Sequence, residues 1–409
     1  MSLLDAWFTA KRVRTHGMIL ATCLWSVYLW NISAPGLKDR SGVIKGADFI
    51  HLYTLGSVAL SHRATALYDT EAQAQLTAWR VPAAGAIKYV PLYPPQTSIF
   101  LAPLASLPYA TALTLWLTLS VIIYSACCYA LWRCCPRLRS QGWTVALLAM
   151  SFPGFFHLVL WGQTSAVALA CFTAAFLLLR DERPLLAGFA LGCLAFKPQL
   201  GIVAAFVFTY TRSWRVIAGA GLSAAAQLAV AILYYGVESL RAWIYVVASA
   251  SYTIPLLEPR PYQTHSLPTF WTMLIPGLQV PLLLYIISAS LVIGLTIAIW
   301  SKRPAAALPL RYSALLLASV LVSPHLIVYD LVILAPAFLL LSDWILSKRL
   351  NTTSSMKSLL YLAFISPIIG PLARWTHLQI SVLIMSALLY MIWRASRDGF
   401  SPHYPEVEV

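Results

Sequence analysis

Long apolar runs follow one another along this chain, separated by short polar stretches. They cover 17–33, 109–132, 142–159, 164–179, 184–196 with 199–211, 216–236, 279–300, 308–322, 326–346, 358–372 and 378–393. A helix rising 1.5 Å per residue crosses about 30 Å of hydrocarbon in roughly 20 residues, and most runs approach that length. The pattern predicts an all-α, polytopic membrane protein with about twelve transmembrane or re-entrant helices. It forms a single domain over 1–409.

One interruption decides the topology. Lys197-Pro198 splits the run between 184 and 211. Read as one tilted helix, the segment carries Arg212 and Arg215 across the membrane and inverts every later loop. Read as a hairpin of two short helices, it leaves them on the side of Arg133, Arg137, Arg139, Arg180 and Arg183. Lys302, Arg303, Lys348, Arg349, Lys357, Arg394 and Arg397 then fall on that side too. The bias of Lys and Arg toward cytoplasmic loops favours the hairpin, with both termini cytoplasmic.

Composition agrees with that picture. Hydrophobic residues make up 60% of the chain and charged residues 10%, with a mean hydropathy of +0.75. A soluble domain carries about a quarter charged residues, so lipid contact must stand in for the missing charge. The formal charge of +14 comes from pairs and triplets at the ends of apolar runs, which argues against nucleic acid. The first run continues through Trp25 and Trp30 without a small-residue cleavage site, and so reads as a retained span. The seven cysteines fall in apolar runs or a short basic loop, and offer neither a disulfide framework nor CxxC metal spacing.

The outer side receives two long segments, 34–98 and 237–270, and short turns near 157–163, 323–325 and 373–377. In the first, apolar or small residues at 49, 52, 53, 56, 59 and 60 make one helical stripe, as in an amphipathic helix lying on a membrane surface. A second short helix follows Tyr68-Asp69-Thr70, where Thr70 and Gln73 fit a capping box. Asp48 opens the first helix. It reads either as an N-cap or as a carboxylate held at the interface for proton transfer. The other acids expected outside are Asp39, Asp69, Glu71, Glu238 and Glu258, with Asp330 near that face. Asp39 lies in a polar Lys-Asp-Arg run, and Asp69 and Glu71 look like helix-start residues, so Asp48 is the best-placed base. The prolines of Leu92-Tyr93-Pro94-Pro95-Gln96 and of Pro103 to Pro108 impose a kinked return to the membrane. That turn is compatible with Tyr93 lining a substrate groove.

Lys197 is the one Lys or Arg that no loop accommodates. A cation at membrane depth costs about 2.5–3.5 kcal/mol on insertion scales, so it needs a partner or a watery cavity. Asp330 or the carbonyls of a helix end are candidate partners; a phosphate beside the helix break is the alternative. His325, at an outer turn, reads as a helix cap, a phosphate ligand or a base in competition with Asp48. Gln163 at the Trp161-Gly162 turn caps a helix or meets sugar hydroxyls. Arg260, Tyr262, Gln263 and His265 add polar and aromatic groups in the second outer segment.

Taken in order, Gly46-Ala47-Asp48-Phe49, Leu67-Tyr68-Asp69, Tyr93-Pro94-Pro95 with Pro103 and Pro108, Gly162-Gln163, Ala187-Gly188 through Lys197-Pro198-Gln199-Leu200, and Ser323-Pro324-His325 with Tyr329-Asp330 resemble the family-87 glycosyltransferases. These are membrane enzymes of the GT-C class that include polyprenyl-phosphate-mannose-dependent α-mannosyltransferases. Leu52 stands where a second tyrosine often occurs, and Ser165 where an Asn often follows the Gly-Gln pair. The resemblance implies a GT-C-type bundle of the bacterial inner membrane with its site on the periplasmic side. It implies inverting transfer of a hexose, mannose in the family members named above, from a polyprenyl-phosphate sugar to a lipid-linked or glycan acceptor. Asp48 would be the general base, Lys197 and His325 would hold the phosphate, and Gln163 would help position the sugar, with Tyr93, Arg260 and His265 as further substrate-binding candidates. No cofactor or metal is called for, since the chain has no nucleotide-binding glycine loop and no DxD motif. A lipid-sugar flippase or a secondary transporter is the non-enzyme alternative; a transporter should show internal repeats, which are not evident here.

Overall fold

A computed structural model describes residues 9–249, 260–301, 307–348 and 352–397. Among them every regular element is helical, and the only strand-like pairings are two isolated bridges, Lys38 with Ile44 and Thr264 with Ile327. The first half runs through α1 (Ala10–Ile32), α2 (Phe49–Leu60), α3 (Thr70–Arg80), α4 (Gln96–Ala105), α5 (Tyr109–Arg133), α6 (Gly142–Ser151), α7 (Pro153–Trp161), α8 (Ser165–Arg180), α9 (Pro184–Gly192), α10 (Ile202–Tyr210) and α11 (Trp214–Tyr235). The second runs through α12 (Val237–Ala248), α13 (Leu267–Leu274), α14 (Gln279–Ser301), α15 (Leu308–Val322), α16 (Ala335–Ser347), α17 (Thr352–Ile365), α18 (Ala373–Thr376) and α19 (Ile380–Arg397).

Six helical stretches among the described residues are long and apolar enough to cross a membrane. They are α5, α11, α14, Val328–Ser347, Ser355–Thr376 and α19; the pair Pro136–Ser151 and Pro153–Trp161, bent by 50°, makes a possible seventh. The expected runs at 164–179, 184–196, 199–211 and 308–322 are helical but shorter, at 10–17 residues. The count of about twelve therefore falls to six or seven full-length candidates. The reason is that a run of apolar residues can be buried by neighbouring helices instead of by lipid. In α15 every residue from Tyr312 to Val322 is buried, and it forms the centre of the main core with Val328–Leu334.

Lys197 lies between two 3₁₀ turns, Cys193–Phe196 and Pro198–Gly201, with φ −136° and ψ 68°, so the helix does break there. The chain also turns back. Pro184, at the start of α9, and Arg212, just past α10, line the same cavity. α11 then runs alongside α9: Gly188 abuts the Val216 carbonyl, and Gly192 abuts Ala220 and Ser223. At Gly188 and Gly219 an added Cβ would run into the backbone of the facing helix, so small residues set this close packing. With 22 residues, α11 is about 33 Å long. Its start lies at that cavity, while Tyr234 at its other end donates to the Ala59 carbonyl at 2.8 Å.

The segment 34–98 is a folded platform, though not of the expected surface type. All eleven residues Phe49–Ala59 of α2 are buried, so the helix is enclosed on every side instead of presenting an apolar stripe to lipid. Gly56 permits this, because a Cβ there would lie 2.5 Å from the Leu101 carbonyl oxygen of α4. In α3 the cap is Asp69 in place of Thr70: its carboxylate accepts from the N–H groups of Glu71 and Ala72, while Gln73 turns back to the Ala66 and Leu67 carbonyls.

Candidate functional site

The site starts where the turn after α7 meets the start of α2. Asp48 has helical backbone angles, φ −90° and ψ −27°, and its side chain makes no capping hydrogen bond. The carboxylate is therefore available elsewhere. Its own N–H donates to the Trp161 carbonyl at 3.0 Å, and the Trp116 indole N–H donates to the Gly162 carbonyl at 2.8 Å. Gly162 takes φ +71° and a Cβ on it would lie 2.8 Å from that of Phe49. A side chain at 162 would hold the turn away from α2; glycine lets Gln163 reach Asp48.

Gln163 is the hub. Its amide nitrogen donates to Asp48 Oδ2 at 3.1 Å and to the Tyr329 hydroxyl at 3.1 Å. Its amide oxygen accepts from the Tyr93 hydroxyl at 3.0 Å and from the Thr164 N–H at 2.9 Å. Both ends of the amide are thus engaged by protein groups. Burial raises the Asp48 carboxyl from 3.8 to about 6, against the Gln163 hydrogen bond, the Lys197 charge and the Tyr329 hydroxyl, which all lower it. A carboxylate that loses its proton near neutrality is suited to general-base work.

Behind Tyr329 lies a buried ion pair. Lys197 Nζ is 2.7 Å from Asp330 Oδ1 and 3.4 Å from Ser165 Oγ, and it stands 5.2 Å from the centre of the Tyr329 ring. The Ser165 hydroxyl donates to Asp330 as well. Lys197 and Asp330 are each less than a tenth exposed, where an unpaired charge would be costly. An ammonium group has three donors, so Asp330 and Ser165 leave one for another acceptor.

Of the residues expected from sequence, the structure joins Asp48, Gln163 and Tyr93 directly, and Lys197 to them through Tyr329. His265 is buried elsewhere: its Nδ1 is 2.7 Å from Ser381 Oγ, and its N–H donates to the Leu326 carbonyl. Arg260 is exposed, and His325 is partly buried on the turn before Val328. Tyr329 and Ser165 were missed as participants, although Tyr329 adjoins the flagged Asp330.

Beside this cluster, the turn after Tyr93 carries unused polar groups. Gln96 and Thr97 are buried, and neither the Gln96 amide nor the Thr97 hydroxyl meets a partner among the described residues. Their neighbours are fixed: the Tyr68 hydroxyl donates to the Tyr93 carbonyl, the Trp243 indole to the Leu92 carbonyl, and Ser98 Oγ bonds the Tyr235 hydroxyl at 2.8 Å.

The family model described as glycosyltransferase family 87 matches residues 92–324, more than half of the chain. The chain belongs to that family. No curated protein and no solved structure matches it. Family 87 makes the molecule a membrane glycosyltransferase, as the sequence resemblance implied. The family-87 match takes in Tyr93, Gln163, Ser165 and Lys197, whereas Asp48, His325, Tyr329 and Asp330 lie outside it. The site is built from both.

Proposed function

We propose that this glycosyltransferase moves a hexose, mannose by the family resemblance, from a polyprenyl-phosphate donor to a lipid-linked or glycan acceptor at the non-cytoplasmic face, with inversion at the anomeric carbon. One observation carries the reading. The Asp48 carboxylate is turned away from the N–H groups of its own helix and held by Gln163, with Tyr329 and the Lys197 ammonium close behind.

Asp48 takes the proton of the acceptor hydroxyl, whose oxygen forms the new bond to the anomeric carbon. The bond from that carbon to the phosphate oxygen breaks, and the phosphate leaves with the electron pair. Lys197 offers its remaining N–H to the departing phosphate, with His325 as a second ligand from the adjoining turn. Gln163, with its amide already engaged, orients Asp48 instead of contacting sugar. Gln96 and Thr97 supply donors and acceptors for the acceptor's hydroxyl groups. No nucleotide is needed, because a lipid phosphate is already a competent leaving group.

Purified protein, a radiolabelled polyprenyl-phosphate sugar and a membrane lipid extract as acceptor test the reading. Label should pass to a new glycolipid or glycan. Movement of intact donor across vesicles without transfer would refute it in favour of a carrier.

A further inference from the structure

Far from the Asp48 site, a cavity of about 550 Å³ opens where α8, α9, α10, α11, α14 and α15 come together. Its polar lining includes Arg212 from the α10–α11 turn, Arg215 from the start of α11 and Arg311 from α15, and no carboxylate is among the lining residues. Its walls are Leu179, Phe208, Val216, Leu308 and Trp300, and the exposed Trp214 stands at the rim. The turn is fixed: Arg212 takes φ +53°, and the Ser213 N–H donates to the Phe208 carbonyl at 2.9 Å. Trp300 is fixed too, its indole donating to the Arg311 carbonyl at 2.9 Å.

We infer that this cavity is a binding site for the headgroup of an anionic phospholipid, in the leaflet opposite the Asp48 site. α11 separates the two by its length, with Trp214 at the cavity and Tyr234 and Tyr235 at the platform. The chemistry is that of a phosphate ester on an acyl chain. Guanidinium groups pair with phosphate oxygens through parallel N–H donors, and the apolar walls continue toward lipid, where they meet the chains. Basic pockets between helices at the membrane surface take acidic headgroups in this way, and a flanking tryptophan suits the interfacial zone. Dispersed charge from the positive-inside bias would give no such selectivity for three arginines around one cavity.

The test uses the full chain, delipidated in neutral detergent, with retention of phosphatidylglycerol, phosphatidylcholine and inorganic phosphate measured by native mass spectrometry. Phosphatidylglycerol should be retained at least about tenfold more tightly than phosphatidylcholine. Arg212→Gln and Arg215→Gln together should remove that preference, and Arg139→Gln, an exposed arginine outside the cavity, should leave it unchanged. An equal loss from Arg139→Gln would show diffuse attraction and overturn the site. Equal retention of the two lipids by the unmutated protein would overturn it without relying on any variant. Phosphate binding as tightly as phosphatidylglycerol would replace the lipid with a soluble anion and overturn it also.

Discussion

Replacing Asp48 by Asn separates a catalytic carboxylate from a capping one by moving activity and stability in opposite directions. Asn keeps the shape of the side chain and an oxygen to accept from Gln163, but it takes no proton near neutral pH. Single-turnover transfer should fall at least about 100-fold, the lower end of what a lost general base costs. In the unmutated protein transfer should rise with pH through about 6, where burial places the carboxyl, and level off above it. Stability follows from the same number with the reverse sign. A carboxyl raised in the folded state binds its proton more tightly there than in the unfolded chain, so charging it costs stability as pH rises. The rise from 3.8 to about 6 corresponds to up to about 3 kcal/mol, less whatever solvent screening relieves at this partly exposed residue. Asp48→Asn should therefore be the more stable protein above pH 6 and match the unmutated one below about pH 4. Transfer followed by radiolabel and unfolding followed by detergent or thermal titration, on the same preparations, give both quantities. Near-normal transfer, or a loss of stability at neutral pH, would refute the assignment.

Lys197→Met should destabilise the fold by about 3–5 kcal/mol, because it leaves Asp330 charged and buried; Lys197→Met with Asp330→Leu should regain the fold by the same unfolding assay while donor binding stays weak. Gln96→Leu should raise the acceptor KM about tenfold, the worth of one net hydrogen bond, with the donor KM unchanged. In α11, Gly219→Ala should sharply lower the folded yield, since its Cβ would strike the Leu185 carbonyl, whereas Gly221→Ala, with nothing within 4 Å, should be neutral or slightly stabilising. Cysteines placed at the exposed Ser41 and Pro324 should label together with an impermeant reagent in intact cells, and one at Arg139 only after permeabilisation.

Sequence reading reached the elements that depend on local pattern. The break at Lys197-Pro198 was legible because a cation and a proline together cannot continue an apolar helix, and the start of α2 at Asp48 was legible from the residues that follow it. The orientation of the Asp48 carboxylate was not, because a helix-start acid caps its own helix or does not depending on what approaches it, and here Gln163 approaches from 115 residues away. The enclosure of α2 was hidden for a similar reason: its stripe fits a surface helix, but Ser57 and Thr54 satisfy their hydroxyls on backbone carbonyls one turn back and can then be buried. The number of full-length spans was not legible either, because hydropathy does not distinguish lipid from a neighbouring helix. Asp330, helix-end carbonyls and a phosphate are the partners the sequence offers Lys197, and the 2.7 Å contact bears out Asp330.

The Lys197–Asp330 pair also constrains how the protein is made. The two residues lie 133 positions apart, so at about 5–20 residues per second the ribosome needs roughly 7–27 s to go from one to the other. Throughout that interval the hairpin carries its ammonium group into the bilayer without the carboxylate that neutralises it, bearing an insertion cost of about 2.5–3.5 kcal/mol. Neither half-helix is long enough to be integrated alone, so the hairpin must enter as a unit and wait, solvated by headgroups or by the insertion machinery, until Val328–Ser347 arrives. Assembly is then ordered by translation, and a segment that emerges long after the hairpin is the one that neutralises it.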